Sequence, residues 1–190
     1  MNVLILSCGT GGGHNAAGAA VQKQLQKQGH QVVMINPYQL KSNRLAGVID
    51  KVYIGLVQKN STLFGFVYRL GELYRRLPFP SPVYYINRKM AYILQEYLLR
   101  HPADVIITPH LYPAEIITNM KKMGMEDQVK VVGFDNSVEQ IQLLEAGVFQ
   151  GIVIQKPFNI GYLGVEQAVK AIEGYPMEYN LDSGCKLITK

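Results

Sequence analysis

The sequence contains little cysteine and no long apolar run. Its 190 residues include two cysteines, Cys8 and Cys185, at opposite ends of the chain and without metal-ligand spacing. The sequence therefore predicts neither a disulfide framework nor a zinc site, and it favours reduced thiols in the cytosol. No apolar run approaches the roughly eighteen residues of a membrane-spanning helix. The stretch Ile5-Leu6-Ser7-Cys8 has no basic segment before it, so we expect no export signal.

The glycine run at residues 9–13 lacks the marks of two common nucleotide-binding loops. A dinucleotide fingerprint needs an acidic residue at the end of the second strand, where this chain has Asn36-Pro37. A phosphate loop of the NTPase kind needs Gly-Lys-Ser/Thr, which is absent. We therefore expect neither NAD nor ATP chemistry, no cofactor and no bound metal.

Charge is distributed unevenly along the chain. The formal net charge is +5, but residues 1–125 hold 14 Lys or Arg against 5 Asp or Glu, while residues 126–190 hold 5 against 9. The first part is expected to meet an anionic partner such as a phospholipid surface or a sugar phosphate, unless its basic residues form an ordinary solvated face. No recognition motif points to nucleic acid, so none is expected as a partner.

Apolar strands alternate with helical patterns along the chain. With 48% hydrophobic residues, the chain is long enough to bury a core as one domain, residues 1–190. Strands separated by helices predict an α/β fold, a single doubly wound, Rossmann-like or flavodoxin-like parallel sheet of about five strands in the order 2-1-3-4-5. The strands are predicted at residues 2–7, 31–36, 104–108, 129–134 and 151–155, with a further short strand at 185–189.

A helical insert interrupts this alternation between the second and third strands. Residues 40–102 are too many for a plain crossover and predict helices at 45–58, 63–75 and 84–100. The insert mixes aromatic and basic side chains in a way that suits an interfacial helix on anionic lipid, and its predicted membrane-facing residues are Phe64, Phe66, Arg69, Arg75 and Arg76. The alternative is that its apolar residues pack on the sheet.

The glycine run precedes a histidine at the start of the first helix. Backbone N–H groups are exposed at glycines, and helix starts favour negative charge, so Gly11, Gly12, Gly13 and His14 form a predicted anion-binding loop. His14 is the candidate catalytic residue, since a helix start favours a neutral imidazole that can act as donor or base. The alternative is a histidine bonded locally at a helix end.

Residues 1–125 resemble a family of lipid-modifying enzymes. The segments LILSCGTGGGHNAAGAAVQKQL, VVMINPYQL and PADVIITPHLYPAEIITNMK are similar to the N-terminal domain of the monogalactosyldiacylglycerol synthase and processive diacylglycerol glucosyltransferase group of glycosyltransferase family 28. The resemblance implies a GT-B enzyme that moves a hexose from a UDP-sugar to diacylglycerol at the cytoplasmic membrane surface. It matches Gly11 to His14 to the acceptor and phosphate loop and the insert to the membrane-docking region. Plant members carry an Asp, a proposed base, where this chain has Gly9.

Residues 129–190 resemble a different family. GFDNS, a strand ending Gln-Lys-Pro, GYLGV and the tail LDSGCKLITK are similar to the C-terminal segment of a type I periplasmic sugar-binding protein. The resemblance implies that Asp135 and Gln155 bond sugar hydroxyls. The alternative is that Asp135 and Asn136 cap the next helix while Gln155 only ends a strand.

Together the two resemblances predict a mosaic chain, natural or engineered, joined near residues 125–130. The main functional prediction is an incomplete glycosyltransferase-like domain, the acceptor side of a UDP-sugar:diacylglycerol hexosyltransferase. It is expected to be inactive alone because the donor domain has no counterpart, and to bind anions or lipid at the inner face of the membrane. The alternative prediction is a sugar or sugar-phosphate binding protein.

Overall fold

A computed structural model describes residues 1–9, 12–59, 69, 82–124, 129–135, 137–178 and 180–190. The described strands are β1 (Asn2–Leu6), β2 (Gln31–Ile35), β3 (Val105–Thr108), β4 (Lys130–Phe134), β5 (Gly151–Gln155) and β6 (Cys185–Ile188). The described helices are α1 (Gly12–Lys27), α2 (Asn43–Lys59), α3 (Pro82–Arg100), α4 (Leu111–Lys122), α5 (Val138–Glu145) and α6 (Pro157–Ile172), with a 3-10 turn at Pro37–Leu40.

The strands form a six-stranded sheet in the order β2-β1-β3-β4-β5-β6. β1 pairs in parallel with β2 and with β3, as the α/β alternation predicts. β6 differs, since it pairs antiparallel with β5, with Gln155 opposite Cys185. The predicted fold class and the order of the first five strands are confirmed, and the prediction of an all-parallel sheet is corrected to a mixed one. Helix α6 ends at Ile172, well before β6 begins at Cys185, so the chain has the length to turn and enter the edge of the sheet in the opposite direction.

The chain divides into two compact units, residues 1–132 and 133–190. The boundary falls shortly after the predicted junction at residues 125–130. The assignment of all 190 residues to one domain stays a prediction.

The core of the first unit surrounds β1. Four consecutive residues of this strand, Val3 to Leu6, are buried, because a central parallel strand is covered on both faces. Val3, Ile5 and Val32 form a cluster to which Val21 and Leu25 of α1 add partly buried contacts. These contacts pack the second half of α1 onto β1 and β2.

Helices α3 and α4 pack against each other in the first unit. The buried residues of α3 recur every three or four positions, which gives the helix one inner face: Asn87, Met90, Ala91, Leu94 and Leu98. The last predicted helix of the insert therefore buries its apolar side within the protein. The predicted membrane-facing residues Phe64, Phe66, Arg75 and Arg76 lie outside the described residues, and Arg69 is exposed.

The second unit packs around Phe149, which is buried beside Gly133 of β4. A Cβ at Gly133 would lie 2.6 Å from Cε2 of Phe149, so only glycine fits there. The N-cap of α5 is Ser137, whose hydroxyl accepts a hydrogen bond from the backbone N–H of Gln140 at 3.3 Å. The N-cap is therefore Ser137 and not Asp135, which corrects that part of the alternative, while Asn136 lies outside the described residues.

Candidate functional site

The predicted site residues form two groups, one in each unit. In the first unit, Ser7 and Cys8 follow β1 and are both buried. The hydroxyl of Ser7 donates to Oδ1 of Asn15 in α1 at 2.6 Å, and its backbone N–H donates to the carbonyl of Ile35 at 3.0 Å. These bonds hold the end of β1, the end of β2 and the start of α1 together.

A carboxylate from α2 lies against the backbone of Gly9. A Cβ at Gly9 would lie 2.7 Å from Cγ of Asp50 and would overlap its Oδ2, so the absence of a side chain at position 9 makes room for this carboxylate. Burial raises the pKa of Asp50, and a hydrogen bond from the backbone N–H of Gly9 opposes that rise. Oδ1 of Asp50 is buried without a hydrogen-bond partner among the residues that the structure describes.

The thiol of Cys8 is protonated at neutral pH. Burial raises its pKa from 9.0 to about 12, and the negative charge of Asp50 adds to the rise. Nucleophilic cysteines have a lowered pKa. Cys8 is therefore a packing residue of this site and not a nucleophile.

His14 lies in the first turn of α1, beside a second histidine. The rings of His14 and His110 meet edge to face, with centroids 4.6 Å apart. His110 is buried and caps α4, since its Nδ1 accepts a hydrogen bond from the backbone N–H of Tyr112 at 3.1 Å. The cap therefore uses Nδ1 as an acceptor and leaves Nε2 as the ring nitrogen that can donate.

The predicted anion loop is described only in part. Gly12 and Gly13 are the first residues of α1, whose first turn holds no acidic residue, while Gly11 lies outside the described residues. The start of this helix offers N–H groups to a negative group. The carboxylate of Asp50 already occupies the space beside Gly9. An anion bound at this turn would therefore lie near a like charge.

A buried polar chain connects three elements of the first unit. The hydroxyl of Tyr38 donates to Oδ1 of Asn87 at 2.9 Å, and Nδ2 of Asn87 donates to Oε2 of Glu115 in α4 at 2.6 Å. Burial raises the pKa of Tyr38, and negative charge on Glu115, and on Cys8 where alkaline pH ionises it, raises that pKa further. The phenol therefore stays protonated and remains a hydrogen-bond donor.

In the second unit, Asp135 directly follows β4 and adopts a left-handed backbone conformation with φ of 71°. Aspartate and asparagine tolerate this conformation better than most residues. The backbone N–H of Asp135 donates to the carbonyl of Val153 in β5 at 2.9 Å. This bond fixes the position of Asp135 relative to the end of β5, where Gln155 lies.

Gln155 is the last residue of β5 and is exposed. Strands joined by a helical crossover run in parallel, so the ends of β4 and β5 lie at the same edge of the sheet. The side chains of Asp135 and Gln155 therefore belong to one edge, as the resemblance to sugar-binding proteins implies. Near them, Nδ2 of Asn159 donates to the carbonyl of Ser183 at 3.2 Å, which ties the start of α6 to the segment before β6.

Sequence reasoning missed Asp50, His110 and Asn87. Asp50 and Asn87 lie in the insert, where the sequence predicted helices but not which residues face β1. His110 follows a predicted strand directly, and that position is a signal that would have identified it. No group of three or more metal-binding side chains occurs among the described residues. None of the described helices is both long enough and apolar enough to cross a membrane.

Residues 86–176 match a family model described as a periplasmic binding protein domain. The match begins well before residue 129, so it includes α3, β3 and α4, which the sequence analysis assigned to the glycosyltransferase-like part. Both Asp135 and Gln155 lie within it. A comparison with curated proteins gives no match.

Solved structures of sugar-binding proteins share the fold. A carbohydrate transporter solute-binding protein from Agrobacterium radiobacter in complex with D-arabinose is 19% identical, with a TM-score of 0.51 over 100% of this chain and 50% of that one. GanP, a glucose-galactose binding protein from Geobacillus stearothermophilus, is 16% identical, with a TM-score of 0.56 over 100% and 52%. A sugar-binding protein of a sugar ABC transporter from Bacillus halodurans is 12% identical, with a TM-score of 0.58 over 99% and 55%.

The chain spans about half the length of these structures. None of the three similarities concerns a glycosyltransferase. The chain therefore has the α/β fold of these sugar-binding proteins, and its residues 86–176 are similar to a periplasmic binding protein domain.

Proposed function

We propose that this chain binds a sugar at the edge of the sheet formed by the ends of β4 and β5. The observation that carries the proposal is the match of residues 86–176 to a periplasmic binding protein domain, because it includes both Asp135 and Gln155. The solved structures that share the fold support the same class of ligand. This conclusion favours the alternative prediction of the sequence analysis over its main one.

Asp135 and Gln155 have the chemistry that a sugar needs. A carboxylate accepts hydrogen bonds from two neighbouring hydroxyls, and an amide both donates and accepts. Among the residues that the structure describes, neither side chain makes a hydrogen bond that would compete with a sugar, and Gln155 is exposed. A sugar held at one edge keeps much of its surface in water, so we expect a dissociation constant on the order of millimolar.

The proposal is tested by calorimetry with D-arabinose, D-fucose, D-glucose and D-galactose. We expect heat of binding with at least one sugar, and a loss of affinity of about tenfold or more in Asp135→Asn and in Gln155→Ala, since each removes a hydrogen bond to a hydroxyl. Asparagine tolerates the positive φ of residue 135, so the backbone is kept.

Matched controls are Glu145→Gln and Gln142→Ala, which make the same chemical changes at exposed positions of α5. They are expected to bind as the unchanged chain does. Absence of heat with all four sugars, or equal affinity in site and control variants, would contradict the proposal.

We propose as a second candidate the acceptor side of a lipid glycosyltransferase, located in the first unit at the inner face of the membrane. The observation that favours it is that the carboxylate of Asp50 lies beside Gly9. Plant members of the similar glycosyltransferase group carry an Asp at the position of Gly9. His14 and the basic insert would then meet an anionic lipid or diacylglycerol surface. The chain alone is expected not to turn over a UDP-sugar.

Flotation with phosphatidylglycerol vesicles, with and without diacylglycerol, tests this second candidate. We expect the chain to float with the vesicles at low salt and to lose this binding at high salt. We expect stronger binding in Asp50→Asn, because the substitution removes a negative charge near the start of α1. Vesicles of neutral phosphatidylcholine serve as the control. If the chain did not float with the vesicles at low salt, this second candidate function would be contradicted. Turnover of UDP-glucose or UDP-galactose would contradict the expected inactivity of the chain alone.

A further inference from the structure

Helix α6 of the second unit has its polar side inward and its apolar side outward. None of its sixteen residues is buried. Its half-buried residues are mostly polar, and two of them bond to the tail of the same unit: Asn159 to the carbonyl of Ser183, and Gln167 to the backbone N–H of Glu178 at 3.2 Å. Surface helices ordinarily bury the apolar side, so this orientation indicates that something else covers α6.

Five exposed apolar residues of α6 form one continuous stripe, while Ile160, which is 44% exposed, lies on another face of the helix. They are spaced four, three, four and three positions apart, the spacing that keeps side chains on one face of a helix over several turns: Phe158, Tyr162, Val165, Val169 and Ile172. All five are exposed, Phe158 at 81% and Ile172 at 85%. The rings of Phe158 and Tyr162 stack with centroids 6.4 Å apart. We call these five residues the α6 stripe.

The size of the α6 stripe suits a dimer interface. With roughly 150–200 Å² for each large side chain and the observed exposures, the stripe presents on the order of 600 Å² of apolar surface. A pair of such stripes buries about 1,200 Å², which is the lower end of the range for specific protein interfaces. It is also as large as the largest apolar patch of a typical monomer, about 300–600 Å².

The spacing of the α6 stripe makes it self-complementary. Val165 lies at its centre, with Tyr162 and Phe158 toward one end and Val169 and Ile172 toward the other. When a second copy lies antiparallel across it, the aromatic half of each stripe meets the aliphatic half of the other. A two-fold axis then passes near Val165, and two-fold dimers are the commonest oligomers.

The charges of α6 argue for a protein partner and against a lipid surface. Its charged residues are Glu166 and Lys170, which pair with each other at 2.9 Å and leave the helix without net charge. Membrane-surface helices carry several Lys or Arg residues on the polar side. A neutral helix neither attracts anionic lipid nor repels an identical copy.

We propose that the α6 stripe is the interface of a homodimer, covered by the α6 stripe of a second copy of this chain. The interface is independent of the sugar site proposed above. It explains why an apolar helix face points away from its own unit: the face is buried only when two chains associate.

Sedimentation equilibrium of the full chain tests this proposal. We expect a monomer–dimer equilibrium whose dissociation constant rises by more than about tenfold in Val165→Glu, because a carboxylate is placed at the centre of the interface. The matched control is Val138→Glu on α5, where the valine is 68% exposed against 66% for Val165. The control is expected to dimerise like the unchanged chain.

Disulfide trapping gives a second measurement that does not depend on destabilising the interface. In a Cys185→Ser background, Val165→Cys is expected to form a disulfide between two copies on mild oxidation, whereas Val138→Cys is not. A monomer at all concentrations, equal effects of the two glutamate variants, or equal trapping at the two positions would overturn the proposal. The proposal would also be overturned if the full chain formed no dimer but floated with lipid vesicles, and if Val165→Glu abolished that flotation.

Discussion

At the scale of single residues, Gly9 and Asp50 form a tightly constrained contact in the first unit. The carboxylate of Asp50 accepts a hydrogen bond from the backbone N–H of Gly9 and fills the space that a side chain would take. The two residues are distant in sequence, and α2 brings them together. Position 9 therefore requires glycine because of its neighbour, since the residue has no positive φ.

We predict that Gly9→Ala lowers the free energy of unfolding by about 1–3 kcal/mol, because the new Cβ overlaps Asp50 and displaces it. Urea unfolding measures the effect. In Asp50→Gly the space is open, so adding Gly9→Ala to that variant is expected to cost much less than it does alone.

Gly47→Ala is the control for this experiment. Gly47 lies in α2, where a Cβ would meet nothing within 4 Å, and alanine is the better helix former by about 0.5–1 kcal/mol. A stabilising effect is therefore expected there. If Gly9→Ala cost the same with and without Asp50, the contact would not be the cause.

At the scale of secondary-structure elements, a single amide joins the 3-10 turn, α3 and α4. Asn87 is fully buried and bonds to Tyr38 on one side and to Glu115 on the other. Periodicity predicts that position 87 lies on the inner face of α3, where an apolar residue would be expected. The buried asparagine is explained by its partners, which come from other elements.

We predict that Asn87→Ala destabilises the chain by about 1–3 kcal/mol, because it leaves the buried hydroxyl of Tyr38 without its acceptor. Tyr38→Phe in the same background is expected to recover part of the loss. Thermal or urea unfolding measures both variants.

The neighbouring exposed residue Arg88 provides the control, and Arg88→Ala is expected to change stability by less than about 0.5 kcal/mol. No recovery in the Tyr38→Phe, Asn87→Ala double variant would show that the unsatisfied hydroxyl is not the source of the loss.

At the scale of the whole molecule, stability depends on groups that keep their protons. The pKa of Cys8 is raised to about 12 from 9.0, and that of Tyr38 is raised as well, in both cases mainly by burial. The folded chain therefore holds protons that the unfolded chain releases at alkaline pH. Such a group stabilises the folded chain fully at a pH below its pKa in the unfolded chain. This contribution is lost as the pH rises from that value through the higher pKa of the group in the folded chain.

We predict a progressive loss of stability between pH 9 and pH 12, with a slope of up to about 1.4 kcal/mol per pH unit for each group. Urea unfolding at several pH values measures the slope. Cys8→Ala is expected to reduce the slope, whatever its effect on stability at pH 7.

Cys185→Ala is the control, since Cys185 is exposed and its substitution is expected to leave the slope unchanged. An equal slope in the Cys8→Ala variant and the unchanged chain would contradict the assignment of the alkaline loss to Cys8.

The elements of the fold could be predicted closely from local patterns. The five strands predicted for the parallel sheet lie within one residue of β1 to β5 at both ends, and the apolar pattern predicts a helix at residues 138–146, where α5 covers Val138–Glu145. Such patterns involve residues that are close in sequence, so they are visible in the sequence itself. The apolar pattern predicts the last helix at residues 160–173, and α6 starts three residues earlier because Pro157, a good first residue for a helix, begins it.

The sequence by itself determined the α/β alternation, the strand order and the position of Asp135 and Gln155 at strand ends, because these follow from apolar periodicity and from the rule that a helix joins parallel strands. Only the tertiary structure decided that Asp50 lies at Gly9, that His110 meets His14 and that α6 turns its apolar stripe to solvent. The physical reason is that each of these depends on how separate elements pack, and residues distant in sequence leave no local pattern of their contact.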